Sequence, residues 1–175
     1  ITSELNEKFP EIKCVSEESY KKEEKKLLGK DFFLIDPLDG TKEFIKKNDE
    51  FTVNIAFIEN NKSKLGIIYA PAKERMFFNI DKDRSYEIKT NMLEEKININ
   101  SSKQISVSKN KKELIAVISR SHNNEMTGKF LKKFNVKETI ICGSSLKFCL
   151  IASGEVDIYP RLGPTKEWDI AAGHA

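Results

Sequence analysis

Apolar residues recur along this chain in short runs that alternate between helical and extended spacing, which predicts a layered α/β protein with no internal repeat. Ile1, Leu5 and Lys8 keep helical spacing until Phe9-Pro10 stops them, because proline cannot donate the next hydrogen bond. Residues 12–15 read as a short strand that ends at Ser16-Glu17-Glu18. A charged stretch, helical or mobile, runs to Gly29, and the apolar run 32–35 then makes a strand that delivers Asp36. A short helix is expected over 41–47. From 51 to 57 the pattern alternates with period two, so Phe51, Val53, Ile55 and Phe57 share one strand face. Asn60-Asn61 turns the chain into a strand over 64–69, Pro71 breaks it, and 75–79 with 85–89 read as two more antiparallel strands. The polar stretch 90–104 predicts only a loop with strand pieces. Beyond it come a buried strand at 114–118, an amphipathic helix at 125–134 with Met126, Phe130, Leu131 and Phe134 inward, and a strand at 139–142. A helix over 144–153, a strand over 156–159 and a last helix opened by Trp168-Asp169 complete the order.

The 175 residues suffice for one sizeable core, and 39% hydrophobic with 33% charged residues is ordinary for a globular protein. Thirty Lys and Arg against 27 Asp and Glu leave a net charge of +3, too small and too mixed to argue for nucleic acid. The Lys-rich stretches at 21–30 and 109–112 read as solvated surface. Cys14, Cys142 and Cys149 are odd in number and lack zinc-site spacing, which predicts buried thiols in a reducing compartment. No apolar segment is long enough to span a bilayer and no signal-peptide core stands at the start, although Ile1-Thr2-Ser3 is not a natural initiator.

The chemistry concentrates in Asp36-Pro37-Leu38-Asp39-Gly40-Thr41, which sets two carboxylates, a fixed turn and a hydroxyl at a strand end. Magnesium takes hard oxygen ligands in short, near-octahedral geometry, and such a turn supplies them better than His or Cys would. Asp, Pro and Gly are also common turn residues, so a solvated loop explains these six residues alone equally well. Glu17-Glu18 and Asp169 are two further acidic elements. Brought together, the four carboxylates and the Leu38 carbonyl suit two or more Mg²⁺ ions, which lie about 3.5 to 4 Å apart in two-metal phosphatases.

Paired with Trp168-Asp169-Ile170-Ala171-Ala172-Gly173, the hexapeptide resembles the two hallmark sequences of the inositol monophosphatase superfamily of magnesium-dependent, lithium-sensitive phosphatases. Further stretches resemble its 3'(2'),5'-bisphosphate nucleotidase branch of the CysQ type. They are residues 39–45 with 50–56, Ser119-Arg120-Ser121-His122, residues 143–149 and residues 159–165. The hallmarks alone fit an inositol phosphatase. Ser-Arg-Ser-His and Gly-Ser-Ser-Leu-Lys are what favour the nucleotidases.

The resemblance implies a sugar-phosphatase fold of alternating sheet and helix layers, in a single domain over 1–175. It implies further segments on both sides: a helix and a Thr-x-x-Asp element that partners Thr41 before Ile1, and strands and a helix after Ala175. The implied reaction is hydrolysis of 3'-phosphoadenosine 5'-phosphate to AMP and phosphate by water activated by two or three Mg²⁺ ions. Lithium inhibition, a role in sulfur metabolism and a cytoplasmic setting, with room for peripheral association at the inner membrane, come with it. Glu17, Asp36, Asp39 and Asp169 are implied as metal-binding carboxylates and Leu38 as a carbonyl ligand. The implied catalytic set is Glu17, Asp36, Asp39 and Thr41, the Thr41 hydroxyl orienting the attacking water. Gly40, Thr41, His122, Ser144, Lys147, Arg161 and Asp169 are implied around the substrate, with backbone N–H groups after Gly40 aimed at its phosphate. Glu18 matches the second Glu of the family's pair, as a supporting site residue or an exposed partner of nearby lysines; the other readings are a helix cap for Thr41, a strand-end salt bridge for Arg161 and, for Trp168, a packing wedge rather than a base-stacking platform. The competing functions are an inositol or sugar monophosphatase on the same metals, and a non-catalytic nucleotide- or RNA-binding protein, which the clustered carboxylates disfavour.

Overall fold

The computed structural model describes residues 1–20, 29–90, 98–109 and 111–175, so the expectations for 21–28 and 91–97 lie outside the described residues. Helix α1 (Thr2–Lys8) leads to β1 (Lys13–Ser16), which ends in a 3-10 turn at Glu17–Ser19. β1 pairs in parallel with β2 (Asp31–Asp39), and a short α2 (Thr41–Ile45) follows. The chain then runs antiparallel through β3 (Thr52–Glu59), β4 (Lys62–Ala70), β5 (Arg75–Asp81), β6 (Arg84–Lys89) and β7 (Lys103–Ile105). These strands form one mixed sheet in chain order. A second, parallel pair joins β8 (Leu114–Ser119) to β9 (Val136–Cys142) through α3 (Glu125–Leu131). Helix α4 (Leu146–Ala152) touches β8, β4 and α5 (Glu167–His174), while α5 lies across β2, β3 and β4. Sheet and helix layers therefore alternate, as the sequence pattern predicts.

Two details of the first sheet position the site. β2 continues through the acidic hexapeptide: Asp36 pairs with Asn54 and Asp39 with Thr52, and the register shifts between them. Pro37 and Leu38 thus sit at a bulge, where a missing N–H costs least and the strand can turn its side chains. α5 approaches β4 closely enough that a Cβ on Gly66 would stand 2.1 Å from the Ala172 carbonyl oxygen, so the helix carrying Asp169 is seated by that glycine.

The period-two expectation for β3 holds, but the apolar face it names is the half-buried one. Val53, Ile55 and Phe57 keep partial exposure, while Thr52, Asn54, Ala56 and Ile58 are buried. α5 covers this second face, and two polar side chains on it serve the site. Other expectations need correction. The helix expected over 125–134 ends at Leu131, so Phe134 lies past it and is exposed, and Met126 is exposed because Thr127, whose N–H the Asn124 side chain accepts at 2.9 Å, is the buried residue of the first turn. The strand expected over 156–159 reduces to a single bridge between Ala116 and Ile158. Ser144 lies ahead of α4, in a left-handed conformation (φ 50°), rather than in its first turn.

Candidate active site

The bulge and α5 bring three carboxylates together: Asp36, Asp39 and Asp169 each offer an oxygen within 4.8 Å of the others. Each has one oxygen pinned by a hydrogen bond. Asp36 Oδ1 accepts the Leu38 N–H at 3.0 Å, and Asp169 Oδ2 accepts the Lys166 N–H at 3.0 Å as α5 begins. Asp39 Oδ2 accepts the Ser145 N–H at 2.5 Å and an Asn54 amide proton at 3.3 Å. Asp36 Oδ2 is buried and has no hydrogen-bond partner among the described residues.

Leaving a buried carboxylate oxygen unpaired is costly, and crowding makes it worse. Burial first, then the charges of Asp39, Glu17 and Asp169, push the Asp36 carboxyl up to about 8. Glu17, on the solvent-facing rim after β1, and Asp169 are also raised, with burial the largest cause for each. The donors are hard oxygens, one of them an orphan, and their mutual repulsion is what a divalent cation would relieve. The residues present fit such an ion.

All the residues that the sequence analysis assigns to the site line one open cleft of about 230 Å³. Glu17, Asp36, Leu38, Asp39 and Asp169 form its acidic part, with Gly40 and Thr41 beside them. Gly40 has φ 87°, and a Cβ there would stand 3.0 Å from the Glu50 carbonyl oxygen, so this position requires glycine on both counts. The Thr41 hydroxyl donates to the Leu38 carbonyl at 3.3 Å. α2 spans five residues, too few for a developed helix dipole. Glu18 is exposed and not among the cleft residues.

A cationic part of the same cleft comes from α4 and the loop before α5. Lys147 is buried, with its Nζ donating to the Ser144 carbonyl and lying 5.3 Å from the Tyr159 ring centroid. Burial holds its pKa below the ordinary lysine value. Arg161 donates to the His122 and Pro164 carbonyls at 3.2 and 2.8 Å, so it braces the loops instead of forming the salt bridge considered for it. His122 and Ser144 also line the cleft. Trp168 packs edge-on to Tyr20 at 5.4 Å, which fits the wedge reading.

Sequence reasoning missed a supporting layer. Arg120 of the Ser-Arg-Ser-His stretch turns away from the cleft and forks onto Glu50 at 2.7 and 2.8 Å, while Glu50 accepts the Gly143 N–H at 2.8 Å. Ser121 donates to buried Glu43 at 2.5 Å. Two carboxylates that follow the acidic turn in sequence thereby tie it to the ends of β8 and β9. Asn54 and Ser145 were missed too. The legible signal was the polar pair Thr52 and Asn54 recurring on one strand face.

The model of the inositol monophosphatase family matches residues 1–175, the whole chain. The chain belongs to that family. As a family member it is similar to the 3'(2'),5'-bisphosphate nucleotidase CysQ of Salmonella typhimurium, with 44% identity over 166 residues, 95% of this chain and 63% of the relative. It is 47% identical to CysQ of Buchnera aphidicola over 95% of this chain and 59% of that relative. The chain thus spans about three fifths of the length of these curated relatives. The crystal structure of CysQ from Bacteroides thetaiotaomicron, a bacterial inositol monophosphatase family member, superposes with a TM-score of 0.82 at 38% identity, over 93% of this chain and 64% of that one. A Thermotoga maritima IMPase gives 0.73 at 26% identity, over 98% and 61%.

Proposed function

We propose that the protein to which this family chain belongs is a magnesium-dependent 3'(2'),5'-bisphosphate nucleotidase that converts 3'-phosphoadenosine 5'-phosphate to AMP and phosphate, in a cytoplasmic setting. One observation carries the reading: carboxylates with one oxygen pinned and buried Lys147 with Arg161 share a single cleft. A substrate with two separated phosphates needs both, one phosphate at the acidic part through cations and the other against fixed positive charge. The similarity to CysQ nucleotidases supports the same choice.

Glu17, Asp36, Asp39, Asp169 and the Leu38 carbonyl would hold two or three Mg²⁺ ions. When bound, such ions neutralise charge on the phosphate and make water a better nucleophile near neutral pH. The chain's own part is positional. Backbone N–H groups fix the orientation of Asp36 and Asp169, and the Thr41 hydroxyl, its proton given to the Leu38 carbonyl, would orient the attacking water by accepting a hydrogen bond from it. Lys147 offers a compact charge to the second phosphate, while Arg161 and His122 flank it. Burial of Lys147 excludes competing water and strengthens that attraction.

The test is Lys147→Met and Arg161→Met in the full-length protein, assayed on the bisphosphonucleotide and on inositol monophosphate. KM for the bisphosphonucleotide should rise at least about tenfold, the loss of one charge-assisted contact, with little change for inositol phosphate. Equal losses on both substrates would reject the second-phosphate assignment and favour an inositol or sugar monophosphatase.

A further inference from the structure

Ser145 is a buried polar side chain lining the cleft that hydrogen-bonds toward both acidic elements, and neither the acidic nor the cationic set includes it. It is 2% exposed, one residue after the left-handed Ser144. Its N–H donates to Asp39 Oδ2 at 2.5 Å, and its Oγ lies 2.5 Å from that same oxygen and 2.7 Å from the Asp169 carbonyl oxygen. Asn54, itself 1% exposed, gives one amide proton to Ser145 Oγ at 2.9 Å and the other to Asp39 Oδ2. With its acceptor role taken by Asn54, the hydroxyl turns its single proton toward Asp39 Oδ2 or the Asp169 carbonyl.

The consequence is directional. Side-chain and backbone donors to Asp39 converge on Oδ2, the Thr52 hydroxyl included at 3.5 Å, and among the described residues Oδ1 accepts none. A carboxylate held this way presents one oxygen in one orientation. The Ser145 backbone is itself anchored: Glu50, locked by Arg120, holds the Gly143 N–H, and the positive φ of Ser144 swings the next N–H onto Asp39. Non-glycine residues adopt that conformation at a cost, so its presence immediately after the anchored Gly143 fits a geometric requirement.

We propose that Ser145 is a positioning residue: its N–H, and its hydroxyl held by Asn54 between Asp39 Oδ2 and the Asp169 carbonyl, fix Asp39 as a one-oxygen metal ligand beside the α5 backbone that carries Asp169. The inference rests on the metal-site reading above. Hydrogen bonds of this kind behind a ligand carboxylate usually account for 10- to 100-fold in metal affinity.

The experiment titrates Mn²⁺ alone into metal-free protein by calorimetry, without substrate, after each variant's unfolding midpoint has been measured. Ser145→Ala should weaken Mn²⁺ binding about tenfold or more. Asn54→Ala should weaken it in the same direction and gives a second reading if the first variant does not fold. Ser153→Ala, at the far end of α4 where the hydroxyl bonds Leu150 and Glu155, should lower stability without changing Mn²⁺ affinity. Unchanged affinity in Ser145→Ala and Asn54→Ala with a binding wild type overturns this inference alone, and so does equal weakening in Ser153→Ala. A wild type that binds no Mn²⁺ overturns the metal site, and the inference with it.

Discussion

Replacing Asp36 by Asn should make the metal-free protein more stable, even though it removes a central site residue. Asp36 is 1% exposed, its Oδ2 has no partner among the described residues, and its carboxyl is pushed from 3.8 up to about 8. The folded state therefore keeps a proton that the unfolded chain releases between those two values. A carboxyl raised in this way costs nothing below pH 3.8, and stability is lost progressively as pH rises through about 8. At pH 7 roughly three pH units above 3.8 have been passed, which at about 1.4 kcal/mol per pH unit sets an upper bound on the order of a few kcal/mol for the penalty. Neighbouring Glu17 and Asp169, also raised, share the relief when one charge goes. The expected gain for Asp36→Asn is thus about 2 to 4 kcal/mol at pH 7, vanishing toward pH 4. Urea unfolding in chelator at several pH values measures it, followed through Trp168, the single tryptophan, buried beside Asp169. Saturating Mg²⁺ should stabilise the wild type by about 3 kcal/mol at 100 times its Kd and the variant far less. A wild-type stability that stays flat or rises from pH 5 to 8 in chelator would refute the reasoning.

Gly66→Ala should cost about 3 kcal/mol or more in denaturant unfolding and weaken Mg²⁺ stabilisation, because the new Cβ would collide with the Ala172 carbonyl and push α5 with Asp169 away. Arg75→Met should cost about 2 to 3 kcal/mol, since it leaves the largely buried Glu87 carboxylate without its partner at 2.6 Å; adding Glu87→Leu should recover much of that loss in the same assay. Iodoacetamide on the native protein should modify Cys14 first. Cys142 and Cys149 are buried, and burial raises the Cys142 thiol to about 11, so both should label only on unfolding, as peptide mapping would show.

The acidic cluster was legible because Asp36, Asp39 and Asp169 stand in two short motifs that keep their meaning locally: a strand-end turn and a helix start. Most element positions followed from periodicity for the same reason. What failed depended on contacts between distant segments. Sequence showed that Phe51, Val53, Ile55 and Phe57 share a face, but which face α5 would cover depends on Gly66 and Ala172. Met126 and Phe134 continued a helical pattern, but α3 buries Thr127 and stops at Leu131. Ser144 read as helix because a left-handed serine leaves no mark in hydrophobic spacing. Arg120 read as part of a ligand motif, yet its partner Glu50 lies 70 residues away in sequence. Ser145 carried no signal of its own, since its importance comes from Asp39, Asn54 and Asp169 meeting around it.

The central claim is that one cleft combines a divalent-metal site with a seat for a second phosphate. Phosphate release by the full-length protein, measured with 3'-phosphoadenosine 5'-phosphate and with inositol monophosphate across a Mg²⁺ titration, tests it most directly. Release should require Mg²⁺, fall with added lithium and be far faster on the bisphosphonucleotide. Release from the bisphosphonucleotide that is absent, or that is undiminished in chelator, would contradict it.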